Sequence, residues 1–328
     1  MLLDPYKRRL NYLRLSLTDR CNLRCIYCMP EQGVPQLNHE EILTYEELLR
    51  LTRLSVRLGI EKIRLTGGEP LVRKDVSALI RNLSALPGIR DVSLTTNGVL
   101  LAEQARSLWE AGIRRINISL DTLNPEKYAA ITRFDFFHRV WEGIRTAEEV
   151  GFSPIKINVV AMKGINDDEI LEFARLSLEK PYHIRFIEFM PLGEQNGWGP
   201  DRFLSAEEIQ KTLETLGPLH PVNGQGLDGP AKRMAYTGAR GEIGLISPLS
   251  EHFCSSCNRI RLTAEGRLRT CLFSDEETDL RLPLRKGISD EALEEIIRSA
   301  ISRKPKEHPM TMHLPSHKCK RVMSKIGG

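Results

Sequence analysis

Cys21, Cys25 and Cys28 stand at an x3–x2 spacing near the start of the chain, and Cys254, Cys257 and Cys271 at an x2–x13 spacing near its end. Together they account for six of the seven cysteines. Three thiolates hold three irons of a four-iron cluster and leave the fourth iron open to a ligand that is not protein. Two such sets point to two open irons and two different ligands. Mononuclear zinc is the competing chemistry, because CxxC pairs also build tetrahedral zinc sites. A zinc site normally closes with four ligands, and His39 and His252 are the conceivable fourth donors of the two sets. The x3–x2 spacing is uncommon for zinc. Disulfides fit less well, since the count is odd, the spacings are tight and no signal-like start is visible. Cys319 is left over as a plain thiol.

Two cysteine sets so far apart in sequence need a scaffold to bring them to one place. With 328 residues, 41% hydrophobic and 27% charged, the chain is long enough for a barrel with an extension. No apolar run approaches the roughly 18 residues of a membrane span, so a cytoplasmic protein with no membrane partner is expected. A net charge of only +4 argues against a protein that coats polyanions, and nucleic acid is not an expected partner.

Apolar alternation marks strands at 12–17, 62–66, 91–96, 115–120, 155–161 and 183–189, and helical periodicity fills the gaps. Leu48, Leu51, Leu54 and Leu58 are one such stripe. Repeated βα units with right-handed crossovers make a parallel sheet wrapped by helices. Six units instead of eight suggest an open partial barrel. One strand face is apolar and suits helix packing. The other carries Arg14, Ser16, Arg64, Thr66, Thr95, Asn117, Ser119, Lys156 and Asn158. A barrel packed shut fills its interior with branched apolar side chains, so this lumen is expected to hold a ligand, and an anionic one given its cations. The alternative is an internal salt-bridge network with Asp121 and Glu188.

The rhythm stops after Pro191-Leu192-Gly193, which divides the chain into a barrel at 1–193 and a mixed α+β extension at 194–328. The extension reads as a helix at 205–216, a Gly-rich stretch at 223–230, strands near 233–237, 242–247, 259–263 and 267–270, a helix at 290–303, and an extended, mobile tail from 304. Gly67-Gly68-Glu69-Pro70 ends the second strand, where parallel barrels bind ligands. Its glycines permit close backbone approach and Glu69 offers an acceptor for an ammonium group. Thr95-Thr96-Asn97-Gly98, Ser119-Leu120-Asp121-Thr122 and Met190-Pro191 fall at the same rim.

The segment Asp19-Arg20-Cys21-Asn22-Leu23-Arg24-Cys25-Ile26-Tyr27-Cys28, with Gly67-Gly68-Glu69-Pro70 some 40 residues on, resembles the signature of radical S-adenosylmethionine (SAM) enzymes. Phe253-Cys254-Ser255-Ser256-Cys257-Asn258-Arg259-Ile260-Arg261-Leu262-Thr263, Cys271 and the terminal Ile326-Gly327-Gly328 narrow the resemblance to the GTP 3',8-cyclase family of molybdenum cofactor biosynthesis. It covers nearly the whole chain.

That resemblance implies an α/β fold, a radical SAM partial (β/α)6 TIM barrel whose C-terminal extension carries a second Fe–S cluster. It implies a lyase that cyclises GTP to (8S)-3',8-cyclo-7,8-dihydroguanosine 5'-triphosphate, with two [4Fe–4S] clusters and SAM as cofactors. One cluster falls on Cys21, Cys25 and Cys28, with SAM at its open iron, and the other on Cys254, Cys257 and Cys271, with substrate at its open iron. SAM contacts fall on Tyr27, Gly68, Ser119 and Met190. GTP contacts fall on Arg14, Arg64, Thr95, Lys156, Arg259, Ile260 and Arg261. A low-potential electron donor of flavodoxin or ferredoxin type and the next enzyme, which forms cyclic pyranopterin monophosphate, are the implied partners, with a homodimer left open. In the family the double-glycine end enters the active site. A radical SAM enzyme that modifies a peptide is the rival enzyme. A zinc-ribbon module binding RNA is the rival of another class, although residues 254–271 contain no aromatic for a base to stack on.

Overall fold

The alternating segments form β1 (Tyr12–Ser16), β2 (Lys62–Thr66), β3 (Asp91–Thr96), β4 (Ile116–Ser119), β5 (Ile155–Ala161) and β6 (Tyr182–Glu188). In this computed structural model, which describes residues 1–193, 196–223, 229–310 and 319–327, each pairs in parallel with the next. Their apolar face, with Leu13, Leu15, Ile63, Leu65, Leu94, Ile118 and Ile157, is sealed from solvent in one core with the helices.

The crossovers are α1 (Tyr45–Leu58), α2 (Val76–Ser84), α3 (Leu101–Glu110), the pair α4 (Pro125–Thr132) and α5 (Phe137–Val150), and α6 (Ile170–Glu179). Local chemistry sets the ends of α1. Thr44 and Glu47 cap each other's amides at its start, and Gly59 closes it at φ 116°. Its predicted leucine stripe is buried. The extra helix α4 lacks a clear apolar stripe, and its signal is instead the Asn124 cap followed by Pro125 at the first helical position.

Beyond residue 193 come α7 (Ala206–Glu214), β7 (Leu219–Pro221), β8 (Lys232–Tyr236), β9 (Glu242–Ile246), β10 (Arg259–Leu262), β11 (Arg267–Arg269), β12 (Thr278–Asp279), α8 (Arg281–Arg285), α9 (Asp290–Ser302) and α10 (Met323–Ile326). These strands extend the same sheet at both edges: β9 joins β6 in parallel, and β10 joins β1 in parallel. Antiparallel strands follow on either side, giving the order β12-β11-β10-β1-β2-β3-β4-β5-β6-β9-β8-β7 among the described residues. Because β10 runs parallel to β1 with Arg259 opposite Tyr12, and β11 runs back beside it, the second cysteine set lies at the N-terminal end of the strands, opposite the mouth that the first set occupies. The brief elements β7, β12, α8 and α10 offer too few residues for periodicity to show.

The end of the chain departs from the extended, mobile tail expected of it. Lys304, His308, Met310, Cys319 and Ile326 are all buried, and Cys319 bridges to Leu192. These anchors are irregularly spaced and meet partners from distant loops, so no local pattern announces them. The Gly-rich positions 224–228, tail positions 311–318, Glu194, Gln195 and Gly328 lie outside the described residues. No helix among the described residues is long and apolar enough to cross a membrane.

Candidate active site

The first cysteine loop follows β1 and is clamped by the two glycines that follow β2. The Gly68 amide donates to the Thr18 carbonyl at 2.7 Å, and the Glu69 amide to that of Arg20 at 2.8 Å. A Cβ on Gly68 would sit 2.3 Å from the Arg20 carbonyl oxygen, and one on Gly67 2.7 Å from that of Thr18. The glycines are there so that two backbones can touch. Glu69 accepts from the Leu71 amide at 3.0 Å, the Thr96 hydroxyl at 2.7 Å and the Asn97 amide at 2.7 Å. Burial raises its carboxyl to about 7 while these donors pull the other way. Its acceptor capacity, expected for an ammonium group, is therefore engaged first in tying β2 to β3.

Asn97 donates to the Asn22 side chain at 2.7 Å and reaches the Cys21 sulfur at 3.8 Å, and the Leu23 amide donates to that sulfur at 3.4 Å. Such outer donors orient thiolate ligands. The Tyr27 hydroxyl donates to Asp121 at 2.7 Å, and Asp121 also accepts from the Val160 amide at 2.8 Å. Burial pushes the Cys21 thiol up to about 11 and the Cys28 thiol to about 12.

At the second set, burial also pushes the Cys257 thiol up, but Arg259 and Lys304 outweigh it and bring the group to about 7. Arg259 lies 3.9 Å and the Lys304 ammonium 3.7 Å from the Cys257 sulfur. Lys304 also donates to the carbonyls of Arg259 and Thr270. Nothing in the sequence pattern marks Lys304, which sits far along the chain, just past α9. Arg8 donates to the Cys254 carbonyl at 2.7 Å.

Among the described residues, the group of His, Cys and carboxylate donors drawn within 4.8 Å of one another is His252, Cys254 and His308, and neither cysteine triplet is so drawn. A tetrahedral zinc ion with Zn–S near 2.3 Å would bring its sulfurs to about 3.8 Å. The wider triplets suit a polynuclear cluster.

Both triplets line one cavity, together with Tyr27, Gly68, Ser119 and Met190 on one side and Arg14, Arg64, Thr95, Arg259 and Arg261 on the other. Two predicted residues fall outside its lining. The Ile260 side chain is 1% exposed and belongs to the apolar core, which leaves only its backbone for a ligand. Lys156 lies deeper on β5 than Asn158, which does line the cavity.

Arg261, Arg14 and Arg64 are register partners across β10, β1 and β2, about 4.8 Å apart per strand. Like charges so placed repel. Among the described ion pairs, Asp121 and Glu188, the expected neutralising partners, take no part. Asp121 is taken by Tyr27 and Val160, and Glu188 accepts from the amides of Ala206, Leu249 and Ser250. Arg64 is met by the Ser93 hydroxyl at 3.3 Å and Arg261 by the Gly327 carbonyl at 2.6 Å, both neutral groups. Burial, with Arg185 and Arg64 nearby, lowers Lys156 to about 6. Thr95 Oγ1 and Asn158 Oδ1 are buried without a partner, which is the state of groups that wait for a polar ligand. The tail joins this floor: a Cβ on Gly327, at φ 77°, would meet Thr66 Oγ1 at 2.9 Å.

Residues 15–177 match the model of the Radical SAM superfamily, and residues 182–310 that of Molybdenum Cofactor Synthesis C. The fold is similar to that of Streptococcus suis SuiB bound to S-adenosylmethionine, at a TM-score of 0.66, 14% identity and coverage of 95% of this chain and 75% of that one. The fold and the first cysteine loop thus define the class, a radical SAM protein. Relatives spanning the whole chain narrow it. The GTP 3',8-cyclase of Moorella thermoacetica is 51% identical over 325 residues, 99% of each chain, and that of Desulforamulus reducens 50% identical over 331 residues, all of each chain. The chain belongs to the GTP 3',8-cyclase family.

Proposed function

We propose that the protein cyclises GTP to (8S)-3',8-cyclo-7,8-dihydroguanosine 5'-triphosphate, an early step of molybdenum cofactor biosynthesis, with SAM and two [4Fe–4S] clusters. The observation that carries this reading is the placing of both cysteine triplets on one cavity whose floor is the row Arg261, Arg14, Arg64. Cys21, Cys25 and Cys28 would hold one cluster, and Cys254, Cys257 and Cys271 the other. When bound, the first supplies one-electron cleavage of SAM to methionine and a 5'-deoxyadenosyl radical, and the second an open iron for the guanine.

The chain's own part is positioning. Gly68 lets the main chain approach SAM, Asp121 fixes the Tyr27 ring, and Asn196 holds the Met190 carbonyl at 2.7 Å. With Ser119 these residues form the SAM side. Arg14, Arg64, Lys156, Arg259 and Arg261 hold the triphosphate through charge-assisted hydrogen bonds. Thr95 and the Ile260 backbone complete the GTP side. Fixing two reactants against each other supplies on the order of 7–11 kcal/mol. Residues 1–193 are the SAM-binding part, and residues 194–328 bring the second cluster and close the cavity. The reaction belongs to the cytoplasm, with a flavodoxin- or ferredoxin-type donor, hand-over to the enzyme forming cyclic pyranopterin monophosphate, and a homodimer as the assembly to test.

GTP deuterated at the ribose 3' position tests the reading. Transfer of deuterium to 5'-deoxyadenosine, with a cyclised triphosphate, is the expected result. SAM cleavage without transfer, in protein with both clusters intact, removes GTP as substrate and favours a peptide-modifying enzyme.

A further inference from the structure

Cys254 belongs to two donor sets. Besides its own triplet, its sulfur lies within 4.8 Å of ring nitrogens of both His252 and His308, and the two rings are 4.3 Å apart between centroids. His252 Nε2 is 2.9 Å from the Met310 carbonyl. As a donor there, it leaves Nδ1 with a free lone pair. His308 is 6% exposed and its Nδ1 has no hydrogen-bond partner. Phe273 packs against the His308 ring at 4.4 Å between centroids and restrains it. An imidazole that gives one nitrogen to a carbonyl and keeps the other for a cation is the usual arrangement of a metal-ligating histidine. A buried nitrogen with no partner is otherwise costly. His308 also borders a second hollow, walled by Cys271, Asp275, Glu276 and Glu307.

We propose that His252, Cys254 and His308 form a site for a single divalent ion of the zinc type in the cluster-free chain, and that this ion and the second cluster exclude each other. Two imidazoles and one thiolate are a donor set that suits zinc or its probe cobalt, with a fourth position left to water. The exclusion rests on the assignment of Cys254 to the second cluster, since one sulfur serves one of the two metals. Zinc bound here would therefore stall the protein half-assembled, with the first cluster in place and the second prevented.

The test uses the full chain, free of clusters, with Cys21, Cys25, Cys28, Cys257 and Cys271 replaced by Ala so that Cys254 is the remaining triplet thiol. Titration with cobalt(II) should give one ion per chain, a thiolate-to-cobalt charge-transfer band and the intense visible bands of tetrahedral cobalt, all displaced by zinc. Adding His308→Ala or His252→Ala should weaken binding by more than the roughly 10–100-fold that loss of an outer partner costs, while Cys319→Ser should change nothing. Absence of the band, or its survival in both histidine variants, overturns the proposal. As an arm independent of the folding of the multiple variant, the wild-type chain is also reconstituted with and without one equivalent of zinc. About eight irons per chain without zinc and about four with it is expected, with His308→Ala restoring the higher figure in the presence of zinc. Eight irons in both conditions overturns the site, whereas four in both overturns the cluster assignment instead.

Discussion

The two cysteine triplets look into the same cavity, yet they are built from different materials. The first is made by backbone. Gly67 and Gly68 press against residues 18–20, amide and carboxamide groups meet the Cys21 sulfur, and burial drives Cys21 to about 11 and Cys28 to about 12. The carboxylates of Glu69 and Asp121 are nearby and raise its thiols, with Arg24 opposing them at Cys21. The second is made by long cationic side chains. Arg259 and Lys304 overcome burial and hold Cys257 near 7. A sulfonium cofactor and a triphosphate want opposite surroundings, which is what the proposed assignment of SAM to the first triplet and GTP to the second requires.

The sharpest way to break this comparison is to delete one side at a time. Cys254→Ala or Cys271→Ala should abolish cyclised product while slow, reductant-dependent cleavage of SAM persists, and replacing Cys21, Cys25 and Cys28 should abolish cleavage itself. Product analysis by mass distinguishes them, and equal loss of both reactions in both variants would end the division of labour. A smaller but still large effect is expected from Gly68→Ala. Its new methyl group would sit 2.3 Å from the Arg20 carbonyl oxygen, so the loops must part. Displacement by about 1 Å costs on the order of a hundredfold in rate. Single-turnover formation of 5'-deoxyadenosine should fall accordingly, with GTP affinity kept.

Lys156→Ala should weaken GTP binding roughly tenfold to hundredfold, the worth of a charge-assisted hydrogen bond of about 1.5–3 kcal/mol, and leave SAM binding alone. Free Lys156 is held near 6 by burial and by its cationic neighbours. An anion beside it raises that value, so GTP binding takes up a proton between pH 6 and the value in the complex. Affinity should therefore fall as pH rises above 6. Calorimetry in buffers of different ionisation heat should show the uptake in the wild type and not in the variant. The smallest effect is a shift in reactivity. In the cluster-free chain, alkylation of Cys257 should be half-maximal at about pH 7, where its thiolate forms, and that of Cys21 only near 11. Lys304→Met should move the Cys257 midpoint upward, and no movement would remove Lys304 from the second site.

Much of this was legible because the first site is local. Strand alternation gave the polar lumen, and the cysteine spacing with Gly67-Gly68 gave the loop that β1 and β2 hold together. The clamp of Glu69 onto Thr96 and Asn97 was not, because it joins the ends of two strands whose register the sequence does not give. The second site was readable only in its cysteines and in Arg259 and Arg261. Arg8, His308 and Lys304 reach it from segments with no shared period, and β9 and β10 extend the barrel sheet in a way that short, separate strands do not announce. Ile260 was named with its arginine neighbours, yet strand alternation turns its side chain into the core.

The claim at the centre of the account is that the second triplet presents an iron to the guanine while the first presents one to SAM. Electron–nuclear double resonance on reduced protein with GTP labelled by nitrogen-15 in the base tests it directly. In the chain with Cys21, Cys25 and Cys28 replaced, the surviving cluster should show coupling to the labelled nitrogen, and in the Cys254→Ala chain the coupling should vanish. Coupling that follows the first triplet, or none in the cluster held by the second, would contradict the account.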